Sequence, residues 1–269
     1  MKPFNLKKLY LFFSSAIIFL LHLPFVFAKM KPAEPAKLPA VKQNAFVPKD
    51  SLLKTAETRL QDTLLSLYDS LRLNVMGLSQ QAFQYAMQGF EYLANTGKLA
   101  NQKIISIVDF SQPSSKKRLF VIDVEQSKIL FNTYVAHGMN SGKEFANEFS
   151  NFPQSNKSSL GFYETTDTYI GKHGYSLHLQ GLEKGINDNA NRRDIVIHGA
   201  DYVSESFIQQ QGYIGRSQGC PAIPEKLHRP IIEKIKNGTC LFIYSPDRNY
   251  LVHSRILKEA AAMAFENTN

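Results

Sequence analysis

Two short stretches combine residue types capable of covalent chemistry. The first is Ile195-Val196-Ile197-His198-Gly199-Ala200, a β-branched run that ends at a histidine followed by a glycine. The second is Arg216-Ser217-Gln218-Gly219-Cys220-Pro221-Ala222, where a cysteine follows a glycine and precedes a proline. His198 and Cys220 are 22 positions apart and can meet only through the fold. A free cysteine is mostly thiol near neutral pH, with a pKa of about 8.5. An adjacent imidazole that takes the proton leaves a thiolate–imidazolium pair, an activated nucleophile. Glycine before the cysteine lets the chain turn tightly, so nearby backbone N–H groups can converge on one spot where an oxyanion develops. Losing one such donor typically costs about 2.7–4 kcal/mol of transition-state stabilisation. Gly199 gives a nearby carbonyl access to the imidazole Nδ1–H, which would fix the tautomer without a carboxylate. A buried structural cysteine and a strand-end histidine produce the same motifs, so spacing alone leaves both readings open.

Other reactive side chains carry weaker signals. His173, His178 and His198 invite a zinc site, but their spacing is irregular and no nearby acidic residue completes a ligand set, so no metal is expected. In an alternating strand His178 shares a face with Ser176 and Gln180, where it either lines a cleft or is structural. Arg216 and, after it, Arg192 and Arg193 offer guanidinium groups for a substrate carboxylate, or are solvated surface residues. Ser217 belongs to the cysteine loop and is a candidate for substrate contact or for a bond within that loop. His137 precedes Gly138, with no chemistry to assign to it. Cys240, in the apolar run C-L-F-I-Y, reads as core. A Cys220–Cys240 disulfide is conceivable in an oxidising compartment and would silence the nucleophile.

The elements that must position these residues follow from pattern. The 269 residues are 43% hydrophobic and 20% charged, a globular composition that excludes global disorder. Residues 1–28 read as a secretory signal peptide: Lys2, Lys7 and Lys8, an apolar run over Leu9–Leu23, then V-F-A ending at Ala28. The run is shorter than the ~20 residues of a membrane span, so no stable anchor is expected after cleavage. Loss of those three lysines takes the formal charge from +8 to +5. No basic cluster with interleaved aromatics appears, so nucleic acid is not an expected partner. Residues 29–50, with Pro32, Pro35, Pro39 and Pro48 among Ala and Lys, read as a flexible tether.

Residues 51–100 read as two helices packed on a core. Leu53, Ala56, Leu60, Leu64, Leu67 and Leu71 form one face, and Phe83, Met87, Phe90 and Ala94 a second after Ser79. From Ile104 the period shortens to that of strands. Strands are predicted at Ile104–Val108, Leu119–Ile122, Ile129–Val135, Leu160–Glu164, Tyr175–Gln180, Ile195–Ile197 and Cys240–Tyr244. Short helices are expected near Ser204–Gln211 and Leu227–Lys236, with Pro230 in the first turn of the latter. The catalytic unit spans 101–252, and 253–269 is a C-terminal helix or tail. The fold class is mainly β with N-terminal helices.

The stretch Tyr175–Tyr202 continued into G-R-S-Q-G-C-P-A-I-P, with the earlier A-H-G-M-N-S-G-K-E-F-A-N-E-F-S-N, resembles the murein L,D-transpeptidase catalytic-domain family. The resemblance runs from about Leu67 to Leu251. It implies a secreted enzyme with a β-sandwich-like core that acts on peptidoglycan stem peptides and needs no cofactor. It places the family's nucleophile on Cys220, its base on His198 and its oxyanion donors on the backbone around Gln218, Gly219 and Cys220. The broader family loop reads Ser/Thr-His-Gly-Cys followed by a branched residue and an arginine. Here Gln218 replaces the histidine and Pro221-Ala222 replace the following pair, as in the subgroup ending S-x-G-C-P-A. The missing arginine leaves Arg216, Arg192 or Arg193 as replacement anchors.

The expected activity is that of a periplasmic or cell-wall-facing L,D-transpeptidase forming a Cys220 thioester. Two alternatives stand beside it: an L,D-carboxypeptidase that hydrolyses the same bond, and a non-catalytic wall-binding protein with a degenerate dyad. A general cysteine peptidase ranks behind both.

Overall fold

The computed structural model describes residues 62–266. The expected signal peptide, the expected tether and the first part of the expected first helix lie outside the described residues. Residues 62–70 are helical, and Leu64 on the predicted apolar face is buried. Helix α1 (Gln80–Asn95) begins at Ser79, whose Oγ accepts the Ala82 N–H at 3.1 Å, an N-cap that satisfies one orphan donor. Phe83, Ala86, Met87, Phe90 and Leu93 form its buried face. Gly89 lets the helix settle on the sheet: a Cβ there would lie 2.0 Å from the Phe162 ring.

Eight strands follow: β1 (Ile104–Asp109), β2 (Leu119–Asp123), β3 (Lys128–Thr133), β4 (Gly161–Gly171), β5 (Gly174–Gly181), β6 (Val196–Ala200), β7 (Ala222–Pro224) and β8 (Cys240–Tyr244). They make one sheet in the order β3-β2-β1-β8-β4-β5-β6-β7. The β1–β8 and β6–β7 pairs are parallel, and the rest are antiparallel. β1 and β8 are buried along their whole length, which explains their unbroken apolar sequences: both faces are covered. The chain leaving β3 returns to the far end of this order. Ala136 N–H donates to Ala222 O at 2.8 Å, Ser217 N–H to His137 O at 3.0 Å, and Met139 N–H to Ser217 O at 2.8 Å. The sheet therefore nearly closes on itself, and the cysteine loop lies at the closure.

Helices α2 (Glu205–Gln211), α3 (Glu225–Ile235), α4 (Arg248–His253) and α5 (Arg255–Glu266) follow α1, and a single helical turn at Leu73–Met76 precedes it. α3 buries Ile231, Ile232 and Ile235. It begins directly after β7, two residues earlier than the sequence pattern placed it, so Pro230 lies inside the helix rather than in its first turn. Pro230 is exposed, so the carbonyl deprived of its N–H partner faces water. α5 packs along α1. The buried Glu183 carboxylate ties β4 to α4 and α5, accepting from Phe162 N–H at 2.9 Å, Tyr250 OH at 3.1 Å and Ser254 OH.

β4 outruns its pairing with β8, which covers only Gly161–Glu164. After a register shift between Thr165 and Thr168, β4 and β5 continue as a two-stranded ribbon to a turn at Lys172-His173. The sequence pattern ended this strand at Glu164, because the ribbon residues Thr165–Asp167 are polar and carry no buried alternation.

Candidate active site

His198 is the middle residue of β6, a strand buried at every position, and is itself 3% exposed. Its Nδ1–H donates to Gly199 O at 2.9 Å, so Nε2 carries the free lone pair. Among the described residues no carboxylate bonds the ring. Gly199 is required by packing: a Cβ would come within 2.8 Å of the His228 ring on α3. Burial, then the neighbouring charges of His173 and His228, hold the His198 pKa below the ordinary imidazole value. The ring is therefore held neutral, with Nε2 unprotonated and free to accept a proton.

The loop Arg216–Pro221 joins the closure region to β7 and folds around its own hydroxyl. Ser217 Oγ accepts the Gly219 N–H at 3.0 Å and donates to Cys220 O at 2.7 Å. Gly219 adopts φ 124°, with Lys157 O 2.8 Å from where a Cβ would be, so this position takes only glycine. Ser158 Oγ donates to Gly219 O at 3.2 Å and accepts the Gly138 N–H at 3.0 Å, fastening the loop to the segment after β3.

Cys220 is half-buried and free, and its Sγ donates to Asp194 O at 3.5 Å. Asp194 holds the left-handed conformation, φ 53°, which aims that carbonyl at the thiol. Burial pushes the thiol pKa up; the Val196 N–H and the Arg193 charge pull the other way. The resting side chain is therefore a thiol. Among the described residues no hydrogen bond joins it to His198, yet both line one cleft of about 750 Å3. Tyr169, Lys172, His173 and Tyr202 also line it. Cys240, by contrast, is fully buried on β8, unbonded to Cys220.

The remaining sequence candidates separate. Gln218 is exposed at the cleft, and the N–H groups of Gln218 and Cys220 have no backbone acceptor among the described residues. Gly219, expected as an oxyanion donor, has its N–H taken by Ser217; of the two readings of Ser217, substrate contact or a bond within the loop, its hydroxyl makes the second. Gly199 contributes its carbonyl to His198 and its small size to His228. Arg193 lines the cleft, but its guanidinium holds the loop before β4. It donates to Ser150 O at 2.8 Å, Ser159 Oγ at 3.1 Å, Ser155 Oγ at 3.3 Å and Lys157 O at 2.5 Å. Arg216 donates through one nitrogen to Met139 O and Gly142 O, both at 3.2 Å, which leaves its other donors for the cleft. His178 is not a cleft residue: it pairs with Asp167 at 3.2 Å and stacks on Tyr169 at 4.3 Å.

The contact that sequence reasoning missed is His173. Its ring covers that of His198, with centroids 4.3 Å apart. The only signal was a histidine between two glycines, Gly171 and Gly174, at a hairpin tip. Among the described residues no group of three His, Cys, Asp or Glu side chains could hold a metal ion.

Residues 75–244, more than half of the chain, match the L,D-transpeptidase catalytic domain. The chain belongs to that family. No curated protein matches significantly. Solved structures similar to this L,D-transpeptidase domain include the L,D-transpeptidase from Mycobacterium smegmatis. There the identity is 10%, the match covers 53% of this chain and 59% of that one, and the TM-score is 0.33. The L,D-transpeptidase from Stackebrandtia nassauensis is 15% identical over 60% of this chain and 66% of that one, with a TM-score of 0.33. Residues 123–326 of the L,D-transpeptidase from Xylanimonas cellulosilytica are 13% identical, covered in full by 78% of this chain, with a TM-score of 0.32. The match thus spans less than two thirds of the first two structures' own length.

Proposed function

We propose that the chain is a secreted peptidoglycan L,D-transpeptidase that works through a thioester on Cys220, on the outer side of the cytoplasmic membrane. The observation that carries this reading is the meeting in one cleft of a cysteine on a tight glycine loop and a neutral, buried histidine whose Nδ1–H is fixed.

The thiol turns from Asp194 O toward His198, and Nε2 takes its proton. The thiolate attacks the carbonyl at the L-centre of the third stem residue. The Gln218 and Cys220 N–H groups receive the developing oxyanion. An S–C bond forms, the C–N bond to D-alanine breaks, and His198 gives its proton to the departing amine. An incoming amine then attacks the thioester, losing its proton to His198 as the thiolate leaves. Acyl-transfer potential passes from amide to thioester to amide, so no ATP is needed outside the cytoplasm. Arg216 is the group placed to pair with a stem carboxylate, since Arg193 is occupied.

The test is to incubate the purified chain, cleaved at the expected site, with disaccharide-tetrapeptide and an amine acceptor. D-alanine release, an acyl adduct on Cys220 and a new amide support the reading. Product that forms equally without amine assigns the site to hydrolysis, and no adduct on an intact thiol assigns the protein to wall binding. Exported protein should begin at Lys29 on N-terminal sequencing.

A further inference from the structure

A second cleft, of about 560 Å3, opens on the other side of the loop that Arg193 holds. Ser150, whose carbonyl accepts from Arg193, lines this second cleft, while Arg193 itself lines the first. One loop thus separates the two. The volume falls within the roughly 300–1,000 Å3 typical of small-molecule sites.

Its wall is polar and pre-ordered. Asn151 Nδ2 donates to Asp188 Oδ1 at 2.7 Å, and Asn189 N–H and Nδ2 bond to Asn151 Oδ1 and O, both at 3.1 Å. Gly185 N–H also donates to Asp188 Oδ1, at 2.8 Å. These bonds fix the side chains yet leave Asp188 Oδ2 and Asn189 Oδ1 without partners among the described residues. Asp247 likewise uses only Oδ1, for the Tyr250 N–H. Phe152, which lines this cleft, is 77% exposed, an uncommon position for a large aromatic ring that nothing among the described residues covers.

Fixed carboxylate and amide acceptors beside an exposed aromatic face suit a neutral ligand with many hydroxyls and one apolar C–H face. Lys184 is balanced by Asp188 and Asp247, so a phosphate would find no net positive field. We propose that this second cleft binds N-acetylated sugar, the glycan that carries the stem peptide entering the Cys220 cleft. The choice of sugar rests on the function proposed above; the cleft and its chemistry do not. Phe152 supplies the stacking face, and Asp188, Asn189 and Asp247 take hydroxyl or acetamide protons.

The test has two arms. In the first, the full chain is titrated with the trisaccharide of N-acetylglucosamine and its backbone amides are followed by NMR. Shifts at Asn151, Gly185 and Asn189 are expected, and Phe152→Ala, at an exposed position, should weaken binding about tenfold. Absence of these shifts, or shifts produced instead by free tetrapeptide, overturns the proposal. In the second, KM is compared for tetrapeptide with and without its disaccharide. The sugar should lower KM about tenfold in the parent, and Phe152→Ala should abolish that difference while leaving the free tetrapeptide unchanged. Equal KM values in the parent overturn it. A chain that turns over neither substrate refutes the proposed activity, while the titration still decides the sugar site.

Discussion

The imidazole of His173 lies over that of His198, centroids 4.3 Å apart and planes 24° apart. His173 is exposed at the hairpin tip and His198 is 3% exposed, so one ring shields the other from solvent. A base in that position stays neutral to lower pH than a free imidazole, because burial and the facing histidines His173 and His228 all disfavour its cation. The acid limb of Cys220 acylation should therefore lie below the ~6.5 of an unperturbed histidine. His173→Ala removes both the shield and a neighbouring charge, and should move that limb upward. His173→Phe keeps the shield and should move it less. Acylation followed by intact mass across pH decides this; superimposable profiles would mean the ring contact has no electrostatic role.

The two cysteines should behave oppositely. Cys220→Ala should abolish turnover and adduct formation with little effect on melting temperature, since the side chain is half-buried and small. Cys240→Ala should keep activity but lower stability by about 1 kcal/mol, a typical loss for one small core truncation. Activity assays beside thermal melts check both, and equal loss of activity in the two would contradict the division.

Much of this was legible in the sequence, for identifiable reasons. Ser79 followed by Phe83, Met87 and Phe90 marks α1 because cap and apolar face both lie within one helix. C-L-F-I-Y marks β8 because a strand covered on both faces reads as an unbroken apolar run. His198 and Cys220 stood out because glycine beside a reactive residue is a local signal. The His173 contact was not legible, since it depends on how far the β4–β5 ribbon extends past its polar residues. For Ser217, Arg193 and His178 the sequence left two readings open, for a related reason. Each residue type fits substrate contact, and only tertiary placement shows that Ser217 closes the loop, Arg193 grips carbonyls and His178 turns to Asp167.

Removing the base should cost more than removing its neighbour across the cleft. His198→Ala should slow acylation by about 10²–10⁴-fold, the usual contribution of general acid–base catalysis. Gln218→Ala should cost less than tenfold, because the backbone N–H persists and the exposed side chain makes no hydrogen bond among the described residues. Single-turnover rates would separate them, and a larger loss from Gln218→Ala would sink the backbone assignment.

Gly199 can be tested by paired substitution. Gly199→Ala drives a Cβ into the His228 ring and should displace the carbonyl that fixes His198. Activity should fall at least tenfold. His228→Ala removes the ring and should restore most of it in the double variant. Failure of rescue, with both proteins folded by circular dichroism, would show that the glycine serves something other than this contact.

Stability at acid pH should depend on His137, a buried residue that bonds the nucleophile loop. Arg118, fully buried and with its guanidinium over Phe110, donates to Val135 O, Gln112 O and, at 2.7 Å, to His137 Nδ1. Nδ1 thus accepts, and Nε2–H donates to Gly142 O at 3.2 Å. Protonation would break the Arg118 contact and place a second cation beside the first, so burial and Arg118 lower the His137 pKa to about 3. The unfolded chain takes that proton near pH 6.5. Between these values the unfolded state binds more protons, so stability rises with pH; the stabilisation is complete above about 6.5 and is lost as pH falls toward 3. One group contributes a slope of about 1.4 kcal/mol per pH unit. His137→Asn keeps an acceptor for Arg118 but cannot titrate. Denaturant unfolding of both proteins from pH 7.5 to 4 should show parallel stabilities above pH 7 and a steeper fall for the parent below 6.5, with shared carboxylate effects cancelling. Because Ser217 N–H donates to His137 O, the same acid range should loosen the cysteine loop, seen as faster hydrogen exchange at Ser217 in the parent but not in His137→Asn. Parallel stability curves across the whole range would show that His137 is not held neutral by this pocket.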